Sequence, residues 1–109
     1  MDMTGFAFSS TDWSTVAEVR HAGDVGEARW RTQQFGTIRV RRVDYSAGYV
    51  ANHWCHKGHV LFVLEGELVT TLADGRVVTI AAGCSYQVAD GAEAHRSSAP
   101  SGAQLLIVD

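Results

Sequence analysis

Glycine punctuation constrains this chain more than any other feature. From Ala28 onward, short stretches end at Gly36, Gly48, Gly66, Gly75, Gly83, Gly91 and Gly102. The chain holds eleven glycines and a single proline. Between the breaks, side chains alternate with the period of a strand: Leu68, Thr70 and Leu72 interleave with Val69 and Thr71. No helical period of useful length competes. Asp74-Gly75 is the strongest short hairpin signal. About eight or nine short strands with regular turns read as an all-β antiparallel sandwich or barrel.

The predicted strands are Ala28–Phe35 and Thr37–Tyr45 as a hairpin about Gly36, then a histidine-rich strand after the turn Ser46-Ala47-Gly48. Val60–Leu64 follows, closed by a tight turn at Glu65-Gly66-Glu67. Then come Glu67–Ala73, Val77–Ala81, Ser85–Val88, a strand opening at His95-Arg96-Ser97, and Gln104–Val108. Ile38 and Val40 share one face of their strand, whereas Val43 and Tyr45 fall on the opposite parity. A β-bulge near Arg41-Arg42 would reconcile them. Arg39, Arg41 and Arg42 read as a solvated strand face, with binding of an anionic ligand as the alternative.

Before Ala28 the pattern is weak. Thr11-Asp12-Trp13-Ser14 is placed to cap a short helical turn. His21 to Glu27 reads as a loop. The expected organisation is one domain over the 109 residues, with 1–28 an N-terminal arm and 29–109 the barrel. A formal charge of −3 with both signs interspersed gives no footprint for nucleic acid or an acidic membrane surface. Two cysteines make no disulfide framework, and the first ten residues lack the pattern of a secretory signal. No stretch is long and apolar enough for a membrane span. The expected setting is the cytoplasm, with Cys55 and Cys84 as free thiols or ligands.

The chemistry concentrates in His53-Trp54-Cys55-His56-Lys57-Gly58-His59, just ahead of the apolar run Val60–Leu64. On a regular strand His53 and Cys55 face one way and Trp54 and His56 the other. A turn or bulge at Lys57-Gly58 lets His59 point back inward. Imidazole and thiolate are donors that borderline divalent metals prefer. Several imidazoles buried on one face without a metal or an acidic partner would be costly. His95, on a strand that is adjacent in a closed barrel, completes a candidate metal set of His53, Cys55, His59 and His95.

These residues resemble the two motifs of the cupins, small jelly-roll β-barrels. The spacing His53-x-Cys55-x3-His59-x6-Gly66 matches the first motif, with Cys55 in place of its second histidine and His59 in place of its glutamate. Gly48 lies one residue closer to His53 than the motif has it. In the second motif Gly83 and Gly91 match, Ala89 replaces a proline, His95 comes one residue late and Ala99 replaces an asparagine. His53-Trp54-Cys55, with Lys57-Gly58-His59 and Val63-Leu64-Glu65-Gly66-Glu67 behind it, resembles the small DHCW-motif cupins, Asn52 standing where an acid is named. The resemblance implies a single-domain cupin-type jelly-roll barrel with the same four residues as ligands to one divalent transition metal.

A thiolate softens such a site, making zinc the first choice, with iron, nickel or copper as alternatives. Three functions are consistent with it. One is a metal-binding cupin with a small molecule in its pocket. Another is a metal-dependent dioxygenase, lyase or isomerase of a small polar substrate, with Tyr45, Tyr49, Tyr86 or Arg96 as orienting or proton-transferring groups. The last is a structural-metal sensor or interaction module. The resemblance also implies a homodimer, with Phe6, Phe8 and Trp13 as candidate contacts.

Overall fold

A computed structural model describes residues 2–109. Among the described residues there is a single 3-10 turn, Trp13–Thr15, capped as expected: the Ser14 amide donates to Asp12 Oδ1 at 3.1 Å. Nine strands follow: β1 Glu18–Ala22, β2 Glu27–Phe35, β3 Ile38–Tyr45, β4 Tyr49–Val50, β5 His59–Leu72, β6 Val77–Ala81, β7 Ser85–Val88, β8 His95–Ala99 and β9 Ala103–Val108. Every pairing is antiparallel, in the order β1-β2-β3-β9-β5-β8-β4, with β6 and β7 also on β5. The sheet curls into a jelly roll. Among the described residues, no helix is long and apolar enough to cross a membrane.

β5 organises the roll. Its first half pairs with β7 and β9, and its second half with β6 and β8. The expected tight turn at Glu65-Gly66-Glu67 is instead a bend within one strand. The ladder to β9 shifts register between Val63 and Glu65, and Gly66 takes a φ of +77°. A Cβ at Gly66 would collide with the Gly102 carbonyl oxygen, so only glycine lets the two backbones approach there. The shift also switches the buried parity, from Leu61 and Val63 before it to Leu68 and Thr70 after it.

The bulge expected at Arg41-Arg42 does not occur, and β3 buries Ile38 on one face and Arg41 and Val43 on the other. The β2–β3 register runs unbroken from Ala28↔Tyr45 to Phe35↔Ile38. Arg41 shares the buried face with Val43, while Val40 and Arg42 lie on the other face. The solvated-face reading of Arg41 is thus corrected: its charge is tolerated inside because Asp109 meets it there.

The core comprises Val43, Leu61, Val63, Leu68, Ile80, Leu105 and Ile107, closed by small residues such as Ala28, Ala99 and Ala103. Leu68, Leu105, Val43 and Val63 are the largest fully buried side chains. β1 occupies part of the stretch read as a loop. It is exposed along its whole length, so it shows no apolar alternation. Its pairing with β2 is what makes it a strand.

Candidate metal centre

The segment between β4 and β5 is not the regular strand that the parity reading assumed. Among the described residues, its one β-bridge is an isolated antiparallel bridge from Cys55 to His95. The Cys55 amide donates to the His95 carbonyl at 2.7 Å, and the His95 amide returns a bond to the Cys55 carbonyl at 3.0 Å. That exchange sets the thiol beside the first residue of β8. His59 opens β5 and meets His95 edge-to-face, ring centroids 4.9 Å apart. Gly58 rests against the backbone of Ala89 and Asp90, where any side chain would collide, and Asp90 Oδ1 accepts its amide at 2.7 Å. This contact fixes the chain's entry into β5.

One donor atom from each of Cys55, His59 and His95 lies within 4.8 Å of the others. The second nitrogens of both imidazoles are already engaged. His95 Nδ1 donates to the Glu93 carbonyl at 2.9 Å, and His59 Nε2 meets the Tyr86 hydroxyl at 2.9 Å. The other two, His95 Nε2 and His59 Nδ1, are buried and unpaired among the described residues. Burial first, then His95 and Arg41, push the His59 pKa down to about 4, holding the imidazole neutral at physiological pH. Neutral imidazoles with oriented outer nitrogens are what a metal requires. Buried polar atoms left unpaired otherwise cost stability. The residues present therefore fit a metal ion.

His53, the fourth candidate, is exposed, with Nδ1 2.8 Å from Asn52 Oδ1. It lines the rim of the same cavity but stands outside the trio. His56 and Lys57 are exposed. The cavity measures about 190 Å3 and extends from the trio to Tyr45, Tyr49, Trp30, Arg41 and Asp109. Tyr45 and Tyr49 stack at 4.1 Å. Tyr86 also lines it, and burial raises its pKa, with the Cys55 charge adding to the effect. Arg96 is tied to the Ala51 carbonyl at 2.7 Å and to Asp24. Sequence reasoning missed the inward Arg41 and its partner Asp109. The only signal was three arginines beside a parity conflict.

No protein-family model matches the sequence, and no curated protein matches it. Solved structures do. A predicted oxalate decarboxylase from Thermotoga maritima is 18% identical with a TM-score of 0.77, over 92% of this chain and 96% of that one. An RmlC-like cupin from Shewanella frigidimarina is 20% identical with a TM-score of 0.68, over 96% and 88%. Fe(II)-HppE with an alternative substrate is 17% identical with a TM-score of 0.77, over 94% and 60%. These likenesses show the fold, a curled antiparallel jelly roll shared with cupin structures. On that fold this chain carries a Cys-His-His cluster at its cavity.

Proposed function

We propose that the chain is a metal-binding cupin that holds one divalent transition metal on Cys55, His59 and His95 and takes a small molecule into its barrel cavity. The reading is carried by one donor atom from each of Cys55, His59 and His95 lying within 4.8 Å of the others, in a cluster where His59 Nδ1 and His95 Nε2 are buried without partners among the described residues. Zinc is the first choice for a thiolate with two imidazoles, ahead of iron, nickel or copper. His53 is the proposed fourth ligand, since its contact to Asn52 is released by side-chain rotation. When bound, the metal supplies Lewis-acid polarisation or, if redox-active, one-electron chemistry. The chain's own groups orient and enclose: Glu93 and Tyr86 fix the two rings, while Tyr45 and Tyr49 wall the cavity.

A second reading, a metal-dependent dioxygenase, lyase or isomerase of a small polar substrate, is favoured by the separation of His53 from the trio. Three protein ligands leave a coordination position for substrate, as in catalytic zinc sites. Metal analysis of protein purified without a histidine tag, with X-ray absorption to count ligands, tests both. Near-stoichiometric metal is expected. Metal-free protein that takes up none on titration would sink both readings. A tetrahedral site with four protein donors and no water would sink the enzyme alone.

The proposed assembly is a homodimer in the cytoplasm, where both free cysteines stay reduced. Val60, Phe62 and Leu64 stand 45%, 39% and 36% exposed along one face of β5. Val108 and Leu106 of β9 pair with Val60 and Phe62 and extend that face. A second copy covering this stripe would remove it from water. Phe62→Glu is then expected to convert a dimer into a monomer in sedimentation equilibrium. A monomeric wild-type protein would refute the assembly.

A further inference from the structure

The cavity carries charge that the metal reading does not use. Arg39, Arg41, Lys57 and Arg96 line it against one carboxylate, Asp109. Arg96 is paired with Asp24. Arg39 grips Asp109 with two donors, at 2.8 and 2.9 Å. Arg41 shares the same carboxylate through a single contact at 3.0 Å. Two guanidiniums thus share one carboxylate, and a positive charge is left over among these side chains.

Arg41 is the unusual member. It is 6% exposed, yet its Nε has no partner among the described residues. The Trp30 ring lies 4.6 Å beneath its guanidinium and fixes the plane of the fork. Burial, and then the Arg39 charge, pull its pKa down, against the pull of Asp109. A rigid, buried fork with an unpaired N–H suits a planar carboxylate. The cavity, at about 190 Å3, holds roughly six waters at their share of liquid volume, and so a molecule of about that many heavy atoms.

We propose that Arg41 anchors an anion subsite in the barrel cavity, taking the carboxylate of a small organic acid whose other end faces Cys55, His59 and His95. The orientation toward the trio rests on the metal-binding reading, whereas the carboxylate anchor does not. The test is calorimetric titration of chelator-treated, metal-free protein with acetate and malonate, against chloride at equal ionic strength. Saturable binding of a carboxylate is expected in wild-type protein, and undiminished binding in Val78→Ala, on β6 away from the cavity lining. Arg41→Gln, which leaves Asp109 paired with Arg39, is expected to weaken it at least about 10-fold while melting cooperatively. If that variant does not fold, Arg41→Lys keeps the charge without the fork and is expected to weaken binding as well.

Unchanged affinity in a folded Arg41 variant overturns the proposal. So does the absence of saturable binding to metal-free wild-type protein, or binding that requires metal and survives Arg41→Gln. Carboxylate binding by a chain that takes up no metal upholds the Arg41 subsite and removes the metal reading.

Discussion

Replacing Cys55 by alanine is expected to strip the protein of metal while leaving it folded. The thiol belongs to a half-exposed residue whose link to His95 uses only main-chain bonds, and those survive the substitution. Apart from a weak 3.9 Å contact to the Lys57 carbonyl, the side chain's role is as a donor facing two imidazoles. Even outer partners of metal ligands are worth about 10–100-fold in affinity. Loss of a direct thiolate donor is expected to cost more than about 100-fold, enough to empty the site during purification. Elemental analysis of tag-free Cys55→Ala, beside an unchanged circular dichroism spectrum, is the measurement. Metal retained at the wild-type ratio would remove the thiolate from the site.

Leu105→Ala should cost more stability than any surface change. Leu105 lies on β9, paired with Val43 of β3 on one side and Val63 of β5 on the other, and none of it is exposed. Both neighbours in this row are fully buried, so the framework cannot easily collapse into the space left behind. Leucine-to-alanine changes at such positions cost about 2–5 kcal/mol, a large share of the ~5–15 kcal/mol that holds a domain folded. Urea denaturation should show a lower midpoint with the slope unchanged. The melting temperature should fall on the order of 15 °C for a loss of about 3 kcal/mol. Val78→Ala, at a half-exposed position of β6, is the control and should stay within about 0.5 kcal/mol. A loss below about 1 kcal/mol for Leu105→Ala would mean that this row is loosely packed.

What was legible in the sequence was whatever local chemistry dictates. Turn glycines and alternation located most of the strands, from β2 and β3 to β9, because a turn and a two-residue period are properties of neighbours. The site was legible to the extent that spacing carried it. Cys55, His59 and His95 do meet, but not for the reason the alternation suggested. The segment is irregular, and a distant pairing with β8 brings in the cysteine while His53 stays at the rim. Arg41 shows the other limit. Its inward orientation depends on Asp109, 68 residues away, and no window of sequence contains both. β1 was hidden for a related reason: an exposed edge strand is defined by its neighbour, not by its own pattern.

The bend in β5 has a kinetic consequence. One unbroken strand contributes its first half to one set of partners and its second half to another, so neither half of the roll is a separable folding unit. β9, its partner, is the last of these strands in chain order, and β3 must wait for β9 to be flanked on both sides. Little of the native ladder can be completed early on the growing chain. Closure is paid for in long-range loop entropy before contacts reward it, which places this protein among the slower folders for its length. Until the last strand docks, the edges of β3 and β5 stand unpaired, which is when the chain is most open to misassociation.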